Sequence, residues 1–143
     1  MALKCVTGLT APCALVFHDL SPPCTGVRIQ GSVPSDCQRF SVDFCCGEET
    51  NHDVAFHFNP RFDQNTVVCN SFQNQKWQSE QTNAENPFRH ETCFQLDFSI
   101  TNEHFEVLVN NEVFERFRHR IPLCHVKVLE VGPKVDIHKI EFF

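Results

Sequence analysis

The stretch Val54-Ala-Phe-His-Phe-Asn-Pro-Arg61 alternates apolar and polar residues and gives the strongest structural signal in the chain. Successive side chains of an extended strand point to opposite faces. The stretch therefore predicts a β-strand with an apolar face directed to a core and a second face that carries His57, Asn59 and Arg61. A half-buried antiparallel strand also shows polar residues to solvent, so these three residues alone do not define a site.

Further polar and aromatic residues follow at short spacing and change this interpretation. Trp77 is the sole tryptophan in a chain with 15 Phe and no Tyr, and a tryptophan among polar residues suits the apolar face of a ligand. Arg offers a rigid fork of donors, Glu only accepts hydrogen bonds, and Asn does both. A sugar requires this combination, because it presents fixed hydroxyl groups beside an apolar patch of C–H groups. The candidate carbohydrate-binding residues are His57, Asn59, Arg61, Asn70, Trp77 and Glu80.

These residue types at these spacings resemble the signature of the galectin family, which runs H-x-N-P-R, then V-x-N, then W-x-x-E-x-R. In this chain the three motifs are His57–Arg61, Val68–Asn70 and Trp77–Glu80. The similarity is not confined to the motifs, because it extends over roughly residues 24 to 143. One residue departs from the signature, since the family ends its last motif with Arg and this chain has Thr82.

The resemblance implies a role for each motif residue in binding galactose. Asn70 and Glu80 would hold the 6-hydroxyl, and Trp77 would stack on the C–H face. The family's Arg pairs with the Glu and helps to fix the second sugar of a disaccharide, so Thr82 implies intact recognition of galactose and weakened recognition of its neighbour. The residues implied to bond the axial 4-hydroxyl are His57, Asn59 and Arg61. We expect the polar faces of all these segments to converge on one surface.

Two functions stay open at this point. One is a lectin that binds β-galactosides such as lactose or N-acetyllactosamine, on glycoproteins or glycolipids, and binds them weakly because of Thr82. The alternative is a galectin-fold structural or protein-interaction module that has lost most sugar binding. A lens-fibre galectin-related branch also lacks the Arg and shares the short connection from Arg61 to Val67, which keeps a specialised role open.

Catalysis is the weaker hypothesis. A glycosidase would need a second carboxylate opposite Glu80, for which Asp63 and Glu85 are the nearby candidates. No nucleophile elbow, Walker loop or dinucleotide-binding motif is present in the sequence. We therefore expect no enzyme activity and no cofactor.

Alternation of apolar and polar residues in several short segments predicts an all-β fold. Strands at this spacing favour a sandwich of two antiparallel sheets, and the resemblance implies its jelly-roll, concanavalin-like form. Asn110-Asn111 tolerates the positive φ of a tight hairpin turn. We expect one domain over residues 1–143, whose first 20 residues are irregular or add an edge strand. The predicted strands include 40–44, 54–58, 94–100, 105–109, 126–131 and 135–143.

Composition excludes several classes of partner. The chain of 143 residues has 12 Lys and Arg against 18 Asp and Glu, a net charge of −6, which does not favour nucleic acid or an anionic membrane. No segment approaches the roughly 18 apolar residues of a transmembrane helix, and the N-terminus does not resemble a signal peptide. We expect a cytoplasmic protein. The family resemblance also allows export to the extracellular space by a route that needs no signal peptide.

The chain contains nine cysteines, an odd and high number. No Cys-x-x-Cys pair is present, so neither a disulfide framework nor a closed structural zinc site is expected. We expect reduced thiols, several of them buried, with Cys5 and Cys13 the thiols most open to oxidation.

Assembly is predicted from the terminal segment 135–143, which ends in two Phe. An edge strand offers unpaired backbone groups, so we expect this strand to form a weak twofold homodimer.

Overall fold

The computed structural model describes residues 4–16, 24–47 and 51–143, and in these ranges it is a β-sandwich with a single 3₁₀ turn. The alternating segments fold as strands because each places one row of apolar side chains between two sheets. The elements in chain order are β1 Lys4–Thr7, β2 Cys13–Val16, β3 Gly26–Ser32, β4 Phe40–Cys45, β5 Val54–Arg61, β6 Thr66–Gln73, β7 Lys76–Trp77, β8 Gln81–Asn83, β9 Cys93–Ile100, β10 His104–Val109, β11 Glu112–Arg118, the 3₁₀ turn Leu123–His125, β12 Val128–Pro133 and β13 Asp136–Phe142.

Two sheets make up the sandwich. The first has six strands in the order β1-β13-β3-β9-β10-β11. The second has seven, in the order β2-β12-β4-β5-β6-β7, with β8 also paired to β6. Every pairing between these strands is antiparallel. The prediction of an all-β sandwich of two antiparallel sheets is confirmed.

A layer of phenylalanine rings fills the space between the sheets. The rings of Phe56 on β5 and Phe117 on β11 stack with centroids 4.6 Å apart, which joins the two sheets directly. Complete burial of a Phe side chain contributes about 1.5–3 kcal/mol, so this layer fixes which face of each strand is internal. The phenylalanines with less than 2% exposure are Phe40, Phe44, Phe56, Phe58, Phe98, Phe105 and Phe117.

The hairpin between β10 and β11 has the predicted turn. Asn110 and Asn111 both have positive φ, at 51° and 69°, and Asn is among the residues that adopt this conformation most readily. The two terminal strands are shifted from their predicted limits, because the 3₁₀ turn Leu123–His125 delays the start of β12 to Val128.

The sheet edges differ from the prediction. The terminal strand β13 is not an edge strand, because it lies between β3 and β1 and is paired on both sides. Residues 4–16 form β1 at the edge of the first sheet and β2 at the edge of the second. The N-terminal segment thus adds two edge strands; residues 1–3 and 17–20 lie outside the described part. No helix in the described ranges is long or apolar enough to cross a membrane.

Candidate functional site

The six candidate residues surround one cleft on the outer face of the seven-stranded sheet. The cleft has a volume of about 320 Å³ and is lined by Arg39, His57, Asn59, Arg61, Val68, Asn70, Trp77 and Glu80. The prediction that these segments converge is confirmed, since the Trp77 and His57 ring centroids are 4.8 Å apart. Their role in binding a sugar stays a prediction. A larger depression of about 650 Å³ is lined by Phe62, Asn65 and residues 84–90, so the chemistry of the lining and not its size identifies the cleft.

Strand register explains why the candidates meet. Residues paired across antiparallel strands have side chains on the same face. His57 of β5 is opposite Asp43 of β4 on one side and Asn70 of β6 on the other. In the next row of this face, Asn59 and Val68 are opposite each other, and Val68 is also opposite Thr82 of β8. The site is therefore a product of sheet register.

The His57 ring is oriented by an acidic neighbour that the sequence motif does not contain. Its Nδ1 lies 2.6 Å from Oδ1 of Asp43, and both side chains are 17% exposed. A carboxylate only accepts, so the proton of the neutral ring belongs on Nδ1 and Nε2 keeps a lone pair. The ring can then accept a hydrogen bond from a ligand hydroxyl at Nε2.

Asn59 is buried and largely committed to the protein. It is 6% exposed, so it does not lie on an ordinary solvent face. Its Nδ2 donates to the Phe40 carbonyl at 2.8 Å, and its Oδ1 accepts from Nε of Arg61 at 2.8 Å. Arg61 also donates from Nη1 to Oε1 of Gln64 at 3.1 Å. Among the described residues this leaves one amide N–H of Asn59 and several guanidinium N–H groups of Arg61 for a ligand.

Asn70 is held equally firmly, in part by a residue that lies outside the three sequence motifs. It is 3% exposed, and its Nδ2 donates to the Gln78 carbonyl at 2.9 Å. Its Oδ1 accepts from the Ser71 N–H at 2.8 Å and from Nη1 of Arg120 at 3.1 Å. Arg120 also donates from Nη2 to the Ser79 carbonyl at 2.8 Å. One guanidinium thus fixes both an amide of the cleft and the loop that carries Glu80.

Trp77 lies at the rim of the cleft as a half-exposed plate. The residue is 52% exposed. One edge packs against Phe72 with centroids 5.1 Å apart, and the ring also meets His57. These contacts restrict the indole while leaving much of it open to a ligand.

Side chains at the end of the cleft beside β8 make fewer contacts with the protein than Asn59 and Asn70 do. The Glu80 side chain is 55% exposed, and Nη2 of Arg61 is 4.0 Å from its Oε2. Glu80 therefore has a cationic neighbour, contrary to what the loss of the motif Arg implied, although at the outer limit of an ion pair. Thr82 is exposed and makes no side-chain hydrogen bond in the described part of the chain.

Asp63 does not line the cleft and is already paired with Arg39, which does. Nη2 of Arg39 lies 3.0 Å from its Oδ2, and this hydrogen bond lowers the pKa of the Asp63 carboxyl below its ordinary value. An ionised carboxylate held by a guanidinium is unsuited to act as the general acid of a glycosidase.

The cysteines do not form disulfides. All nine lie in the described ranges and are free thiols there. Cys5 is exposed and Cys13 is half-buried, while Cys93 and Cys124 are also exposed. Cys93 and Cys124 are therefore further candidates for oxidation beside Cys5, and both are more exposed than Cys13.

Comparison with known proteins agrees with this architecture. The chain matches the family model described as galactoside-binding lectin over residues 13–142. It is 39% identical to galectin-7 of Mus musculus over 119 residues, which cover 83% of this chain and 88% of that protein. It is 44% identical to galectin-4 of Bos taurus over 117 residues, which cover 81% of this chain but 35% of that protein. The crystal structure of Caenorhabditis elegans galectin LEC-6 has a TM-score of 0.87 at 26% identity and covers 97% of this chain and 95% of its own.

The family match and the two-sheet fold together define a galactoside-binding lectin. The chain belongs to the galectin family, whose members are lectins and not enzymes.

Proposed function

We propose that the cleft binds β-galactosides such as lactose and N-acetyllactosamine, and that it holds the galactose ring more firmly than the second sugar. The observation that carries this proposal is the half-exposed Trp77 plate, 4.8 Å from the His57 ring, beside amides that are already fixed by the protein. An apolar plate next to oriented polar groups suits a ligand with one C–H face and fixed hydroxyls.

The hydrogen-bonding groups left over in the cleft support a galactose with an axial 4-hydroxyl. That hydroxyl would donate to Nε2 of His57 and accept from the remaining N–H groups of Asn59 and Arg61. The 6-hydroxyl would accept from the second N–H of Asn70 and donate to Glu80. An equatorial 4-hydroxyl would leave the first group of contacts unmade, which costs affinity because buried polar groups then lose their partners.

Recognition of the second sugar is the weak part. Thr82 is exposed and short, and Glu80 is held by only one distant ion pair. We expect a Kd for lactose of roughly 0.1–1 mM, because a shallow site loses much of its contact energy to ordering and desolvation.

The partners that fit such a site are β-galactoside glycans on glycoproteins or glycolipids, bound with useful strength through multivalency. A weak twofold homodimer would supply two sites. Because β13 is paired on both sides, we now expect such a dimer to form through β1. This strand has four largely exposed residues and is paired on one side only. Nine free thiols favour a reducing, cytoplasmic setting, from which signal-peptide-independent export is a further proposal.

Calorimetric titration with lactose and cellobiose tests the proposal under reducing conditions. The two disaccharides differ at C4 of the non-reducing sugar, so their comparison isolates the axial hydroxyl. We expect lactose to bind at least about tenfold more tightly than cellobiose, the discrimination that a missing polar contact gives.

The variant His57→Gln supplies a matched check, because it is expected to weaken lactose binding with little effect on folding. Absence of lactose binding by a folded, reduced wild-type chain would contradict the proposal. It would favour the alternative, a galectin-fold module for structure or protein interaction.

A further inference from the structure

Three metal-ligating side chains from distant parts of the sequence meet beside the cleft. They are Cys45 at the end of β4, His52 before β5 and Glu130 on β12, and their ligand atoms all lie within 4.8 Å of one another. In the sheet register Glu130 is opposite Asp43, and Cys45 is opposite Val128, so Glu130 and Cys45 are diagonal neighbours across the same strand pair. The sheet itself therefore positions two of the three ligands.

The third ligand is oriented with its free nitrogen toward the cluster. Nδ1 of His52 lies 3.1 Å from the Asp53 carbonyl, which only accepts, so Nδ1 carries the proton and Nε2 keeps its lone pair. Nε2 is the atom that lies 3.5 Å from Oε1 of Glu130. Metal-binding histidines show this arrangement, in which the second nitrogen donates to a carbonyl or carboxylate.

The distances fit a small tetrahedral ion. Zinc bonds of about 2.1 Å to N and O place these two atoms about 3.4 Å apart, close to the 3.5 Å between His52 and Glu130. A Zn–S bond of about 2.3 Å requires S···N and S···O separations of about 3.6 Å. The Cys45 thiol lies within 4.8 Å of the other two ligand atoms, so side-chain movements of about one ångström bring all three into bonding range of one ion.

We propose that Cys45, His52 and Glu130 bind one thiophilic divalent cation, with Zn²⁺ the best fit and water as the fourth ligand. A mixed S, N and O set excludes the hard cations Ca²⁺ and Mg²⁺, which take oxygen ligands. The spacing of 7 and 78 residues has no short repeat, so the cysteine pattern of the sequence gives no sign of this open three-ligand site.

Cys45 is the buried member of the three-residue cluster. It is fully buried, and burial together with the nearby Asp43 and Glu130 carboxylates raises the pKa of its thiol. Because a metal binds the thiolate, binding proceeds as Cys45–SH plus Zn²⁺ giving a Cys45 thiolate bonded to zinc plus a proton released to solvent. The carboxylates that disfavour a bare thiolate favour the cation.

The site lies on the same sheet face as the sugar cleft but does not depend on it. Glu130 is opposite Asp43, which is opposite His57, so the cation would sit about two strand spacings, roughly 10 Å, from the His57 ring. Metal binding is measured without sugar, so the two proposals fail separately.

Spectroscopic titration with Co²⁺ and competition with Zn²⁺ test the proposal on the full reduced chain. We expect one Co²⁺ per chain with tetrahedral d–d bands and one sulfur-to-cobalt charge-transfer band. In Cys45→Ser the charge-transfer band should vanish, whereas Cys46→Ser, which removes the adjacent half-buried thiol, should leave it unchanged. A band that persists in Cys45→Ser, or no binding by the wild type below millimolar Co²⁺, would overturn the site.

Two further variants keep the test independent of the buried thiol. His52→Gln and Glu130→Gln change partly exposed side chains, so both should fold, and each is expected to weaken Zn²⁺ binding at least about tenfold. Wild-type affinity in either variant would show that the metal binds elsewhere in the chain and would refute the three-ligand site.

Discussion

The two ends of the cleft are built differently. At the end proposed to hold the galactose 4-hydroxyl, here called the galactose end, Asn59 and Asn70 are 6% and 3% exposed, and each forms at least two hydrogen bonds within the protein. Beside β8, at what is here called the β8 end, Glu80, which is proposed to reach the 6-hydroxyl from there, is 55% exposed with one ion pair at 4.0 Å, and Thr82 has no side-chain partner in the described ranges. One end is fixed before a ligand arrives, and the other is not.

This difference determines where binding energy is available. Ordering a free side chain on binding costs about 0.5–1.5 kcal/mol. An amide that is already fixed in the folded protein does not incur this cost when the ligand binds. The galactose end therefore couples stability to recognition, so damage there should affect both. The β8 end has no such coupling, so changes there should leave stability unaltered and change affinity by little.

The largest effect is expected from Asn59→Ala. The change leaves the buried Phe40 carbonyl and Nε of Arg61 without their partner, at a cost of about 1–3 kcal/mol in the free energy of unfolding. Lactose affinity should fall at least about 50-fold, because Arg61 also loses its orientation. Denaturant unfolding and calorimetry measure the two effects, with Thr82→Ala as the control that should change neither. Wild-type stability in Asn59→Ala would show that stability and recognition are not coupled at the galactose end.

The next largest effect is expected from Trp77→Leu at the cleft rim, which should change affinity with little change in stability. In Trp77→Leu the stacking plate is lost, which should weaken lactose binding about 10-fold. Unfolding should change by less than about 1 kcal/mol, because the indole is already 52% exposed. Val113→Ala, at an equally exposed apolar side chain on the other sheet, is the matched control and should leave binding unchanged. Undiminished lactose affinity in Trp77→Leu would rule out stacking as a contributor.

Sequence reasoning found the cleft residues in two ways. The motif residues of β5 share a face by strand alternation alone, which is visible without coordinates, whereas Asn70, Trp77 and Glu80 were found from their chemistry and the galectin resemblance. The same alternation located the long aromatic strands. The short strands β7 and β8, of two and three residues, carry too few positions to show any period.

Contacts between distant segments were the part that sequence could not supply. Asp43 orients His57 from 14 residues away, and Arg120 orients Asn70 from 50 residues away. Pairing of β1 with β13 joins the two ends of the chain, which is why the terminal strand is not the sheet edge that its position in sequence indicated. Each of these depends on sheet order, which alternation within a strand does not encode.

Arg120→Lys tests whether the galactose end depends on that distant support. Lysine keeps the charge but loses the planar fork that reaches Asn70 and Ser79 together, and the stacking over Phe117 at 4.6 Å. Affinity for galactose and lactose should fall by a similar factor, about 5–10-fold, because a well-formed hydrogen bond to a charged group contributes about 1.5–3 kcal/mol and lysine keeps part of it. Arg116→Lys, an exposed pair with Glu106, is the control. A loss for lactose alone would place Arg120 at the second-sugar end instead.

The smallest effect, and the sharpest test of the weak end, is expected from Thr82→Arg. Thr82 shares a face with Asn59 through Val68, and Glu80 precedes it by two residues in the cleft lining, so we expect an arginine here to reach both Glu80 and a second sugar. A well-formed charge-assisted hydrogen bond contributes about 1.5–3 kcal/mol. Exposure, the entropy of ordering a long side chain and competition from Arg61 should reduce the gain to roughly 1 kcal/mol, about fivefold in lactose affinity.

Galactose should gain less than lactose from Thr82→Arg, because it has no second sugar to contact. Calorimetric titration of both sugars, with Thr82→Lys as a variant that adds the charge without the fork, separates geometry from electrostatics. A gain for lactose in the Arg variant but not in the Lys variant would show that the β8 end lacks a directed donor. Equal gains for both sugars, or none for lactose, would mean that residue 82 does not contact the second sugar and that the difference between the two ends has another cause.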